Sequence, residues 1–166
     1  TGSAFKPIVL AAALQDGVPL TEAFPAPGSM TLQCPNGSSW DVSNFDGGGP
    51  GSPVDLVEAT VRSYNTVYAQ LMLRVGTTRA IEVARAMGIE RPLEDVCAAV
   101  LGANDVQPLE MASVYGTLAN RGVRVDPVLV TSVERADGTI VYEAERLRCP
   151  RKAYAFAGGN TAAAAS

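Results

Sequence analysis

Apolar residues recur at helical spacing through most of the chain, and only towards its end does the period fall to two. In residues 3–15 (SAFKPIVLAAALQ), Ile8, Leu10, Ala11, Ala12 and Leu14 predict an apolar helix that stops at Gly17. Ser3 suits its N-cap or first turn, and Pro7 is tolerated only near that first turn. Helical spacing returns at 55–63 (DLVEATVRS) and 66–75 (TVYAQLMLRV), with Ser63-Tyr64-Asn65 at the break. Residues 77–87 (TTRAIEVARAM) predict a further helix closed by Gly88. Residues 107–120 (QPLEMASVYGTLAN) predict another, with Pro108 at its start and Gly122 just past its end. Two period-two runs, 127–135 (PVLVTSVER) and 139–143 (TIVYE), flank Ala136-Asp137-Gly138, which is the signal of a β-hairpin. Residues 16–53 are rich in Gly, Pro and Ser and read as one long loop anchored by Trp40, Val42 and Phe45.

Helices followed by an antiparallel hairpin predict an α+β domain with segregated helices. A two-stranded hairpin is not a stable sheet alone, so its remaining strands are expected from sequence outside this chain. The end of the chain, 153–166 (AYAFAGGNTAAAAS), is rich in small residues and reads as weakly structured.

The chain has 166 residues, 47% hydrophobic and 18% charged, which suits one domain with a real core. A net charge of −4 without any Lys/Arg run disfavours a nucleic-acid face. There is no histidine. A Ser-His-Asp triad, a Cys-His dyad and a His-ligated metal are therefore excluded within this chain. No apolar stretch approaches the roughly 20 residues of a membrane span, and no signal peptide precedes residue 1. Cys34, Cys97 and Cys149 form no CxxC pair, so one disulfide with a leftover thiol and three buried thiols both remain open.

Without histidine, any general base must be Lys, Asp, Glu, Tyr or Cys. Ser3-Ala4-Phe5-Lys6 offers one, because residues i and i+3 share a helical face and the Lys6 amine can reach the Ser3 hydroxyl. A serine needs such a base, and lysine serves when desolvation lowers its pKa. A helix N-terminus also aims N–H groups at a developing oxyanion. The plainer reading is an N-capping serine beside a solvated lysine. At Ser63-Tyr64-Asn65 a hydroxyl and an amide two residues apart can face one cleft, the first relaying a proton and the second holding a substrate amide. The plainer reading there is a helix stop followed by an N-cap.

Three stretches taken together point further. GSAFKPIVLAAALQDG resembles the first active-site motif of penicillin-recognising serine transpeptidases, and ATVRSYNTVYAQLMLRVG resembles the second. LGANDVQPLEMASVYGTLANRGVRVDPVLVTSVERADGTIVYE resembles the segment between the second and third motifs. The match is closest to the transpeptidase domain of class A penicillin-binding proteins and covers nearly all of residues 2–143. It implies the penicillin-binding transpeptidase/serine β-lactamase-like fold, with a partial domain at 1–145 and an unmatched tail at 146–166. It implies that Ser3 is acylated by the penultimate D-alanine of a peptidoglycan stem peptide, with Lys6 as its base. Ser63 then shuttles a proton with Lys6, Asn65 binds the donor peptide backbone, and Tyr64 lies beside the substrate. The amine of a second stem peptide takes the acyl group, a β-lactam acylates the same serine, and no cofactor or metal is needed. The resemblance places the domain outside the bacterial cytoplasmic membrane, on a protein anchored by sequence absent here.

The family's third motif, Lys-Thr/Ser-Gly, is missing; Lys152 in Arg151-Lys152-Ala153 does not match it. Three explanations stay open: a fragment of a larger protein, one piece of a split protein completed by another chain, or a homologue that no longer catalyses. A non-catalytic scaffold module is thus the alternative function, and β-lactamase-like hydrolysis a lesser one. In the implied fold the loops carrying Cys34 and Cys97 approach the cleft rim, which suggests a Cys34–Cys97 disulfide in an oxidising compartment. Asn36-Gly37-Ser38 reads as a turn, Asp105 and Glu110 as loop and helix-start charges, and Trp40 and Tyr68 as core.

Overall fold

The computed structural model describes residues 1–144. A 3-10 turn, Gly2–Phe5, leads directly into α1, Lys6–Gln15. Pro7 falls in the first turn of α1, where its missing N–H costs no hydrogen bond. Phe5, Ile8, Val9, Ala12 and Ala13 are buried, an i, i+3, i+4, i+7, i+8 stripe, while Leu14 faces outward. The remaining helices are α2 (Leu56–Arg62), α3 (Asn65–Val75), α4 (Thr77–Ala86) and α5 (Pro108–Ala119), with a second 3-10 turn at Cys97–Leu101. Helix α1 packs against α3 and α4, and the core closes around Tyr68, Leu71, Met72, Ile81, Val83 and Val100.

The segment expected to be a long loop is instead built from short strands. β1 (Ala23–Phe24) pairs antiparallel with β4 (Val54–Asp55), which staples the two ends of the excursion. Between them β2 (Ser29–Gln33) and β3 (Ser39–Ser43) form a hairpin with Met30 opposite Val42 and Leu32 opposite Trp40. Those four residues take the inward positions of an alternating pattern, which is what a one-sided hairpin requires. The turn is Asn36-Gly37: Gly37 has φ +82°, and the Asn36 carboxamide oxygen accepts from the Ser38 N–H and hydroxyl. Trp40 and Val42 anchor the segment as expected, but Phe45 does not. Its ring is fully exposed, and the buried neighbour is the polar Asn44. The Asn44 side chain makes four hydrogen bonds, to Pro27, Gly48 and Thr66, so burial there is satisfied by polar contacts rather than by apolar area.

Cys34 and Cys97 are joined by a disulfide across a sequence separation of 63 residues. The bond ties the end of the β2–β3 hairpin to the Cys97–Leu101 turn. The strands β5 (Ser132–Glu134) and β6 (Ile140–Glu143) pair around the Asp137-Gly138 turn with a bulge at Val133/Glu134. Every residue of both strands is exposed, including Val133, Ile140, Val141 and Tyr142. Residues 146–166, expected to be an unmatched tail, lie outside the described residues.

Glu110 does more than start α5. Its carboxylate accepts N–H bonds from Gln107, Glu90 and Arg91, each at 3.0 Å, and faces the Arg91 guanidinium at 3.6 Å. Desolvation pushes its pKa up, but those three donors and the Arg91 charge outweigh it and hold the carboxyl below its ordinary 4.5. A folded pKa below the unfolded one contributes stability above the ordinary carboxylate range that is lost as pH falls. Glu110→Gln should therefore lower stability at pH 7 by about 1–2 kcal/mol, and the gap should close as pH drops below about 4.5; urea titrations at several pH values measure it. Replacing both Cys34 and Cys97 by serine should cost about 4 kcal/mol, the loop-closure value for a separation of this size. Thermal unfolding with and without reductant reads that loss, which the double variant should no longer show.

Candidate active site

Lys6 opens α1 and points its side chain inward, leaving 3% of the residue exposed. An ammonium removed from water needs an acceptor for each N–H. Lys6 Nζ has three: the Ser63 carbonyl oxygen at 2.7 Å, Ser63 Oγ at 2.9 Å and Asn65 Oδ1 at 2.7 Å. The same nitrogen lies 5.5 Å from the centroid of the Tyr68 ring, whose π face favours a cation. Tyr68 is fully buried, with its hydroxyl 2.6 Å from Thr60 Oγ1. All three acceptors on Lys6 are uncharged, so they do not offset desolvation as a carboxylate would. Burial lowers the Lys6 pKa from 10.5 to about 8.

Ser63 and Asn65 reach Lys6 because of how α2 ends. Ser63 adopts the left-handed conformation, φ 56° and ψ 41°, and Tyr64 is extended at φ −64° and ψ 116°. That reversal starts α3 at Asn65, with only two residues between it and the end of α2. For a residue other than glycine the left-handed region costs about 1–2 kcal/mol, and it aims the carbonyl and hydroxyl of Ser63 at one nitrogen. The plainer reading of this tripeptide, a stop followed by a cap, is only half of what the structure does. Ser63 does stop α2, but Tyr64 occupies the N-cap of α3 without a side-chain hydrogen bond. The polar side chains on either side of it turn to Lys6 instead. Tyr64 itself is half-buried beside them and packs against the core.

Ser3 sits in the Gly2–Phe5 turn, exposed, and its carbonyl accepts the backbone N–H of Lys6. The three N–H groups of the ammonium are all engaged by Ser63 and Asn65, which leaves none for the Ser3 hydroxyl. Two contacts fix the turn. Gly102, φ +86°, lies so close that a Cβ there would stand 2.0 Å from the Gly2 nitrogen. Tyr115 of α5 donates its hydroxyl to the Ala4 carbonyl at 3.2 Å.

The structure thus brings Lys6, Ser63 and Asn65 into direct contact, with Ser3 one helical turn from Lys6 on the surface. Sequence reasoning read Tyr68 as core, which it is, but not as the ring beside Lys6, and it missed Gly102 and the end of β3. At β3, the Ser43 carbonyl accepts Asn65 Nδ2 at 2.8 Å and thereby orients the carboxamide. The Asn-Gly pair at 36–37 between two alternating runs was the signal for that hairpin. Nothing in the sequence marks Gly102 as the neighbour of Gly2.

The chain is similar in sequence and fold to known proteins. The sequence matches the family described as penicillin binding protein transpeptidase domain over residues 1–152. It is 29% identical over 142 residues to penicillin-binding protein 2D of Bacillus subtilis, covering 85% of this chain and 20% of that protein. It is 35% identical over 159 residues to the peptidoglycan D,D-transpeptidase PbpA of Mycolicibacterium smegmatis, covering 82% and 32%. Among solved structures, penicillin-binding protein A of M. tuberculosis, an imipenem acyl-enzyme complex, superposes with a TM-score of 0.74 at 32% identity, covering 86% of this chain and 37% of that one. Penicillin-binding protein 1A of Haemophilus influenzae gives 0.77 at 26% identity, covering 86% and 21%. The chain therefore spans between about a fifth and a third of the curated relatives named here. With most of its length matched and its fold shared, the chain belongs to the penicillin-binding protein transpeptidase domain family.

Proposed function

We propose that this chain carries the acylating half of a peptidoglycan D,D-transpeptidase site, with Ser3 as nucleophile and Lys6 as its base. The observation that carries the reading is the buried Lys6 amine, held by Ser63 and Asn65 one turn from Ser3. Ser3 Oγ attacks the carbonyl of the penultimate D-alanine of a stem peptide. The C–N bond to the last D-alanine breaks, and an ester to Ser3 forms. The proton lost by Ser3 passes to neutral Lys6 and, through Ser63, to the leaving amine. The amine of a second stem peptide then takes the acyl group and frees Ser3. A β-lactam enters by the same attack, its ring nitrogen taking the place of the leaving amine.

Protonation of Lys6 decides when this can begin. As an ammonium it spends every N–H on Ser63 and Asn65 and has no lone pair. On losing a proton it gains a lone pair that can accept from the Ser63 hydroxyl, so Ser63 can pass protons in either direction. Asn65 offers its amide to the donor peptide backbone, and Tyr64 borders the same cleft. The site of action is outside the cytoplasmic membrane, where a Cys34–Cys97 disulfide persists. No helix among the described residues is long and apolar enough to cross a membrane.

The test is intact mass after incubation with a penicillin: a single adduct is expected, absent in Ser3→Ala and in Lys6→Arg, whose side chain stays protonated. Folded wild-type protein without an adduct would overturn the reading. Because the base must be neutral, acylation should rise about tenfold per pH unit below 8 and level off above it. The pH profile of the second-order acylation rate gives that curve.

A further inference from the structure

Helix α3 needs an acceptor for its first free N–H groups, and its own N-cap residue, Tyr64, supplies none. The acceptor comes from another element. Asn44, just past β3 and 5% exposed, places Oδ1 3.2 Å from the Thr66 backbone nitrogen and 3.4 Å from Thr66 Oγ1. Its amide nitrogen donates to the carbonyls of Pro27 at 3.2 Å and Gly48 at 2.8 Å. Only this orientation of the carboxamide satisfies all of its partners, since two carbonyls face one end and an N–H the other. The neighbouring carbonyl, Ser43, receives the Asn65 amide. Two consecutive residues of one strand end therefore grip two consecutive residues of α3, one through the backbone and one through the side chain.

We propose that Asn44 is a positioning residue for the transpeptidase site: it caps α3 from outside and so fixes Asn65, with Oδ1 towards Lys6 and Nδ2 towards Ser43. The inference rests on the catalytic reading above for its consequence, and on hydrogen-bond geometry for its cause. Without the Asn44 acceptor, the first turn of α3 has a free N–H and the β3 end loses its tie to the Pro27 and Gly48 carbonyls. Asn65 is then free to turn away from Lys6 while the helical core beneath remains packed.

The experiment compares wild type and Asn44→Ala with Val83→Ala, a change that removes buried methyl groups on α4. Each is read by thermal unfolding, by the penicillin acylation rate well below the unfolding temperature, and by the NMR signals of the Asn65 side-chain amide. Asn44→Ala should lose about tenfold or more in acylation and shift the Asn65 amide signals. Val83→Ala should lose stability alone. If Asn44→Ala lowers the unfolding temperature but keeps the acylation rate and the Asn65 signals of wild type, the residue is merely structural and the proposal fails. Should wild type take no adduct, the catalytic reading falls, but the Asn65 signals still decide this one: unchanged in Asn44→Ala, they overturn it.

Discussion

A buried ammonium with no carboxylate beside it is the constraint around which this fold is arranged. Taking Lys6 out of water is unfavourable unless every N–H is met, and the oxygens that meet it come from the end of α2 and the start of α3. Those oxygens converge only if α2 stops in a left-handed residue and α3 begins almost at once. Start-of-helix geometry in turn depends on the end of β3, which holds Asn65 and Thr66. One charge thus sets the relation of three helices and a hairpin.

The other side of the site is held by contact rather than charge. The Gly2–Phe5 turn lies against the Cys97–Leu101 turn closely enough that glycine faces glycine. Tyr115 fastens the same turn from α5. The disulfide connects this side to the hairpin that grips Asn65, so the two walls share one covalent cross-brace. The exposed β5–β6 ribbon is different. Its apolar residues cover nothing among the described residues, so it adds little to holding the site.

Much of this was legible in the sequence, and the exceptions have physical causes. The helices announced themselves because their burial is one-sided and their ends carry Gly, Pro or a polar cap. The SxxK and SxN spacings placed Lys6, Ser63 and Asn65, and the structure brings those three together. Residues 16–53 misled because Gly, Pro and Ser dominate the composition while only Met30, Leu32, Trp40 and Val42 carry the alternation. Phe45 was read as an anchor on hydrophobicity alone, whereas the buried place beside it belongs to Asn44, which hydrogen-bonds its way in. Glu110 looked like an ordinary helix-start charge, because contacts with Glu90 and Arg91 twenty residues away leave no local trace.

The left-handed conformation of Ser63 also bears on which side chains the position can accept. Two common amino acids carry an aliphatic hydroxyl, and for proton transfer alone they are interchangeable. The backbone is not indifferent: a branched β-carbon is a poor fit at φ 56°, where serine is tolerated and threonine crowds its own carbonyl. The hydroxyl at this corner is restricted to serine by the shape of the chain, independently of the reaction it serves.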